Sequence, residues 1–173
     1  MLARAFWKAV TVDQSNLLDR FFALLRSQGV DFCLIGGQAL NAYVEPVVSL
    51  DLDVVIAADR VDAVAAALTK EFRVERFPHS LNVSGPESDL RIQIQLDPRY
   101  AEFLARATSR EILGLRVPVA AIADILLGKV WAVQDETRRG SKRQKDLADI
   151  ARALEEYPQL RPTVPAAVLA RLV

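Results

Sequence analysis

Apolar positions along the chain change period several times, and each change predicts an element. After the polar capping residues Thr11 and Asp13, Leu17, Leu18, Phe21, Phe22, Leu24 and Leu25 recur at helical spacing, with Gly29 as the stop. Phe32–Ile35 reads as a short buried strand that ends at Gly36-Gly37. Gln38 to Val44 follows as a short helix, closed before Pro46 because the residue preceding proline avoids the helical region. Leu50 to Ile56 is a second strand, and Asp59 caps an Ala- and Val-rich helix reaching about Lys70. Phe72 to Phe77 and Leu90 to Leu96 are further strands, separated by a polar turn region at Ser84-Gly85-Pro86. A helix from about Arg99 to Ala107 and a strand at Leu115 to Val119 complete the sheet-forming part. From Ala120 the pattern is helical: Ala121 to Val133, Ser141 to Glu156, and a last segment after Pro165.

The fold class this implies is α+β, or mixed α/β. The expected architecture is a mixed sheet of about five strands flanked by helices. Residues 1–119 form the α/β core and residues 120–173 a helical part packed on it. No repeat, low-complexity stretch or long linker interrupts the 173 residues, and 51% hydrophobic content is enough for a real core. Twenty-two basic residues balance 22 acidic ones, so a nucleic-acid contact has to come from a local patch. With one cysteine (Cys33) and one histidine (His79), the chain has no internal disulfide framework, no usual zinc cluster, and only His79 for a Ser-His-Asp arrangement. No run approaches about 18 apolar residues, and Met1–Val10 lacks a signal-like stretch, so the expectation is a soluble cytoplasmic chain without a membrane partner.

The chemistry concentrates between Ile35 and Ile56. A buried strand that ends in Gly36-Gly37 and turns directly into a helix exposes backbone N–H groups at a positive helix terminus, and glycine lets an anion approach closely. Further on, Ser49-Leu50-Asp51-Leu52-Asp53-Val54-Val55-Ile56 puts Asp51 and Asp53 on one strand face about 6.5–7 Å apart, with Leu50, Leu52, Val54 and Ile56 on the other. Two such carboxylates repel unless a cation sits between them, and hard oxygen ligands of this kind suit Mg²⁺ together with substrate phosphates. Aspartate is disfavoured in strands, so the pair calls for a cause beyond a half-exposed surface.

The Gly-Gly helix start, short helix and Asp-x-Asp strand, within about Phe32 to Leu96, resemble the signature of the nucleotidyltransferase superfamily with the polymerase-β-like fold. Leu127-Gly128-Lys129 and Lys145-Asp146-Leu147-Ala148-Asp149-Ile150 are similar to stretches of small bacterial members, including nucleotidyltransferase toxins of abortive-infection systems. The resemblance implies transfer of a nucleoside monophosphate from ATP or another NTP to a hydroxyl, with pyrophosphate leaving. It implies Gly36, Gly37, Gln38, Ser49 and Lys129 as the nucleotide-binding set, and Asp51 and Asp53 as catalytic ligands of Mg²⁺ or Mn²⁺. The acceptor is a protein, an RNA end or a small molecule, and a toxin of this kind has an antitoxin-like partner protein.

The family's third carboxylate belongs on the strand that here reads Leu90-Arg91-Ile92-Gln93-Ile94-Gln95-Leu96-Asp97. Gln93 is the best match; it offers a carbonyl oxygen but no charge and no site for a proton at neutral pH. Asp97 is the other candidate, though it lies roughly 13 Å further along a strand. The alternative to an enzyme is therefore a non-catalytic relative that binds a nucleotide or a partner. Lys129 sits in an apolar helical stripe, where an unpaired ammonium is costly, and it reads either as a phosphate ligand or as a snorkelling core residue.

Arg138, Arg139, Lys142, Arg143 and Lys145 make a cationic run suited to RNA or a polyphosphate, with Arg138 and Arg139 as the polyanion contacts. For Lys142 and Lys145 the spacing favours surface ion pairs with Asp146 and Asp149. His79 reads as a surface loop residue. Trp7, Trp131 and the Phe21-Phe22 pair read as packing residues without interleaved cations.

Overall fold

The computed structural model describes residues 16–172; Trp7 and the expected caps Thr11 and Asp13 lie outside them. The first described helix, α1 (Leu17–Ser27), buries Leu17, Leu18, Phe21, Phe22 and Leu25. Gly29 then takes a left-handed φ of +62°, the conformation that lets the chain leave the helix. The strand β1 (Phe32–Ile35) is buried along its whole length and passes straight into α2 (Gly36–Leu40). The expected helix Gln38–Val44 thus begins two residues earlier, on the glycines themselves.

Next come β2 (Asp51–Ile56), a 3₁₀ turn at Ala58–Arg60 and α3 (Val61–Thr69). Asp59 sits inside that turn and is not the helix cap. After β3 (Arg73–Phe77) the chain makes a hairpin through His79 into β4 (Ser80–Ser84), then β5 (Arg91–Gln95). The expected helix Arg99–Ala107 is broken into a 3₁₀ turn (Pro98–Tyr100) and a short α4 (Phe103–Arg106). Strands β6 (Thr108–Ile112) and β7 (Leu115–Val119) precede α5 (Ile122–Gln134), α6 (Gly140–Glu156) and α7 (Ala166–Leu169).

The sheet has seven strands in the order β3-β4-β5-β2-β1-β7-β6, not about five. The two unexpected strands, β4 and β6, each close an antiparallel hairpin. Thr108–Ile112 is polar and mostly exposed, which suits an edge strand and hides it from hydrophobic pattern reading. In the centre, β1 runs antiparallel to β2 and parallel to β7, and β2 runs parallel to β5. The buried side chains of these strands, among them Leu34, Leu52, Val54, Ile92 and Ile94, form the core with Phe21, Leu25 and Leu40.

Two joints position the cleft at one end of the sheet. Helices α5 and α6 pack on one another and on α2. Gly128 lets α5 also close on the Pro98–Tyr100 turn, because a Cβ there would meet the Tyr100 ring at 3.2 Å. At the second, Arg152 of α6 donates to Asn41 Oδ1 and to the Glu45 carbonyl, both at 2.9 Å, fastening α6 to the loop after α2.

Candidate active site

The β1–α2 junction shapes the site's floor. Gly36 has φ +75°, and a Cβ built on it would lie 2.4 Å from Asp53 Oδ2. Only glycine allows this approach of turn to carboxylate, and the antiparallel pairing of Ile35 with Asp53 places them there. Gly37 differs: its backbone is unstrained, and the nearest atom to an added Cβ is Asp149 Oδ2 at 3.5 Å.

On β2 the alternation holds. Asp51 and Asp53 are half-buried toward the cleft, while Leu52 and Val54 are buried. Leu50 falls just outside the strand and is exposed rather than core. Burial pushes the Asp53 carboxyl above its ordinary value; Lys129 pulls it back and Asp51 adds to the rise. Across the parallel pair, Asp51 faces Arg91 and Asp53 faces Gln93. Arg91 Nε is 3.0 Å from Asp51 Oδ1, and Gln93 lines the same pocket of about 100 Å³ as both aspartates.

Asp97 stands apart from this pair. It caps the Pro98–Tyr100 turn, accepting from the Arg99 backbone at 3.0 Å and from its guanidinium at 2.8 and 3.0 Å. These bonds hold its carboxyl below the ordinary range, and it opens on a neighbouring pocket with His79 and Trp131. His79 is exposed in the β3–β4 turn. Trp131 stacks on Phe103 at 5.7 Å, and the Arg99 guanidinium covers its ring at 4.5 Å, so a cation does accompany this tryptophan.

Lys129 is paired within the protein. Its Nζ lies 3.0 Å from Asp146 Oδ1 and 2.9 Å from Asp149 Oδ2, and its side chain is only 13% exposed. Burial alone would lower its pKa, but Asp149 and Asp146 outweigh it and hold the ammonium above its ordinary value. Arg138 also pairs with Asp146, and Arg152 with Asp149 at 2.7 Å. The partners of these aspartates are therefore Lys129, Arg138 and Arg152, and not Lys142 and Lys145 as the helical spacing predicts. Asp146 and Asp149 are buried, and among the described residues neither lysine makes an ion pair. A signal for this existed: Asp146, Asp149, Ile150 and Ala153 occupy i, i+3, i+4 and i+7 of the helix, so the acids lie on its buried stripe.

Gln38 is buried, its amide donating to the Ser49 carbonyl at 2.9 Å and accepting from Asn41 at 3.2 Å. Its side chain therefore anchors the loop that brings Ser49 to β2, where Ser49 Oγ accepts from the Asp51 N–H at 3.2 Å. Beyond the inner pocket a cleft of about 480 Å³ opens, lined by Gly37, Ser49 and both aspartates on one side and by Arg138, Arg139, Lys142 and Lys145 on the other. Arg91 and Arg152 also border it, so basic residues outnumber acidic ones around it.

The cleft thus combines a glycine turn packed on a carboxylate, a second carboxylate on the same strand face, and a cationic wall. The family model described as nucleotidyl transferase AbiEii toxin, type IV TA system, matches residues 17–173. The chain belongs to this nucleotidyltransferase family. It is accordingly a transferase of nucleoside monophosphate groups.

Solved structures agree on the fold. The solution structure of the antibiotic-resistance factor ANT(2'')-Ia is 15% identical with a TM-score of 0.65, covering 91% of this chain and 92% of that one. The crystal structure of ANT(2'')-Ia with adenylyl-2''-tobramycin is 18% identical at a TM-score of 0.59, covering 91% and 98%. The lincosamide antibiotic adenylyltransferase LnuA, lincomycin-bound, is 13% identical at 0.55, covering 82% and 98%. No curated protein sequence matches the chain. Among the described residues no helix is long and apolar enough to cross a membrane.

Proposed function

We propose that this chain binds an NTP together with Mg²⁺ or Mn²⁺ at Asp51 and Asp53 and transfers its nucleoside monophosphate to a hydroxyl of an anionic acceptor. The observation that carries the metal and nucleotide reading is the packing of the Gly36 turn against the Asp53 carboxylate, which joins an anion-binding backbone to a cation-binding side chain. The donor set fits a hard divalent ion: two carboxylates and the Gln93 carbonyl oxygen, with the triphosphate supplying the remaining oxygens. Such an ion, when bound, polarises the phosphate oxygens and neutralises charge on the leaving group.

In the proposed reaction an acceptor hydroxyl oxygen attacks the α-phosphorus. The bond from that phosphorus to the α–β bridging oxygen breaks, and pyrophosphate departs with the electron pair. Gln93 cannot take the hydroxyl proton, which passes to water. Gly36 and Gly37 receive the phosphates, Ser49 and Gln38 set the loop at the edge of the cleft, and Lys142 and Lys145 supply unpaired positive charge. Lys129, held by Asp146 and Asp149, acts mainly by placing its charge beside Asp53.

The cationic wall of the cleft, with exposed Arg139 beside Lys142 and Lys145, favours an RNA end over a neutral small molecule or a protein as acceptor. The family's type IV toxin–antitoxin description supports an antitoxin-like partner protein for this chain. Incubation with each α-labelled NTP, Mg²⁺ or Mn²⁺, and cell extract tests the reading. Label should pass to RNA in the wild type and to nothing when Asp51 and Asp53 are both replaced by Asn. Label on protein alone would move the acceptor to that class. Nucleotide binding without transfer to any acceptor would contradict the transfer step.

A further inference from the structure

The neighbour of the aspartate pair is an unusual one for a divalent-ion site. The parallel register of β2 and β5 sets Asp51 against Arg91 and Asp53 against Gln93, so the strand that faces the two acids presents a cation and an amide. The Arg91 guanidinium reaches Asp51 Oδ1 at 3.0 Å. Among the described residues no group of three or more His, Cys, Asp or Glu side chains is arranged to hold a metal ion. The Asp51–Asp53–Arg91 set contributes one net negative charge, in a pocket where Lys129, Arg138 and Lys142 already outnumber the other acids, Asp124 and Asp146. A Mg²⁺ or Mn²⁺ ion that arrives on a triphosphate brings most of its own ligands and needs only that much. A second ion would have to displace Arg91 and would find an uncharged amide in place of a third carboxylate.

We propose that this chain holds one divalent cation, delivered with the NTP, and that Arg91 serves at Asp51 as the counter-charge that a second cation would otherwise supply. The proposal rests on the reading of Asp51 and Asp53 as the metal–nucleotide site. Arg91 is suited to the part because it is 65% exposed and therefore free to swing between Asp51 and an incoming phosphate without disturbing the core. As a fixed positive charge it also discourages occupation of Asp51 by free metal before nucleotide binds, which makes nucleotide and metal arrive together.

The test counts ions directly. Mn²⁺ binding is followed by electron paramagnetic resonance on the full chain, alone and with an NTP analogue whose α–β bridging oxygen is replaced by methylene. With the analogue, the wild type should bind one Mn²⁺ per chain, and the Arg91→Gln/Gln93→Asp double variant should bind two. Without the analogue, Arg91→Gln should raise Mn²⁺ affinity about threefold at low salt, with the gain shrinking as salt is added. Arg91→Lys, which keeps the charge, should stay near wild type. Circular dichroism confirms that each variant is folded, as expected for an exposed side chain. Two Mn²⁺ ions on the wild type, or an Arg91→Gln affinity equal to that of the wild type, would overturn the inference and leave the nucleotidyltransfer site standing. Absence of Mn²⁺ and analogue binding from the wild type and every variant would overturn both.

Discussion

Two pairs of aspartates face the same cleft and lead opposite lives. Asp146 and Asp149, on α6, are buried and shared among Lys129, Arg138 and Arg152, so their charge is compensated entirely within the chain. Asp51 and Asp53, on β2, are half-buried; one has an exposed arginine and the other has no ion-pair partner among the described residues. Carboxylates compensated internally fasten elements to one another: here α5 to α6, and through Arg152 to the loop after α2. Carboxylates left short of positive charge are prepared for a cation from outside. The first pair is thus the frame of the site and the second its working surface.

The largest effect belongs to the frame. Lys129→Met removes the shared ammonium but leaves Arg138 on Asp146 and Arg152 on Asp149, so urea unfolding should show a loss of about 2–3 kcal/mol at neutral pH. A loss under about 1 kcal/mol would put Lys129 on the working side instead. The pH sign follows from the raised Lys129 pKa. Its contribution is fully present below the ordinary value of 10.5 and disappears as pH rises through the higher folded value. Wild type should therefore lose its advantage over Lys129→Met in strong alkali.

The glycine pair gives an intermediate effect and an internal control. Gly36→Ala meets both a left-handed φ and the Asp53 carboxylate, so stability should fall by about 1–2 kcal/mol from the backbone alone. Metal–nucleotide affinity should fall with it, because Asp53 has to move. Gly37→Ala meets only an ordinary van der Waals contact and should stay within about 0.5 kcal/mol of wild type. Equal effects in the two variants, read from unfolding midpoints, would remove the special role given to Gly36.

On the working surface the stability effect is smaller than at Gly36 and has the opposite sign. Asp53→Asn should stabilise the protein by about 0.5–1 kcal/mol at pH 7 while removing metal-dependent nucleotide binding. A carboxyl whose folded pKa is raised costs stability as pH climbs from its unfolded value through the folded one. The variant's gain should accordingly shrink toward zero below about pH 3.8. Calorimetric melting across pH 3 to 7 checks the trend, and a variant less stable than wild type at pH 7 would place Asp53 in the frame with Asp146 and Asp149.

Much of this molecule is local and therefore readable from its sequence. The strands Phe32–Ile35 and Leu115–Val119, and α1, α5 and α6 to within about a residue or two, follow from hydrophobic period, because each buries one face or a continuous apolar run. The Gly-Gly turn and the alternation of Asp51 with Leu52 are local as well, and they carried the family resemblance. Where burial does not repeat along the chain, the pattern is silent. β6 is a polar edge strand that only pairing with β7 makes a strand, whereas Ser80-Leu81-Asn82-Val83-Ser84 of β4 alternates polar with buried apolar residues and carries a strand period in the sequence itself. The helix period even put Asp146 and Asp149 on the buried stripe, yet their partners Lys129 and Arg138 come from elsewhere in sequence, so the choice between surface and core needed the packing of α5 against α6. Likewise, Gln93 could be nominated from alternation, but its position opposite Asp53, and that of Arg91 opposite Asp51, depends on a parallel register between residues 40 positions apart in the chain. Residue chemistry and local period are properties of the chain itself. Register and charge compensation are relations between distant segments, and they exist only once burial of the shared core has fixed those segments against each other.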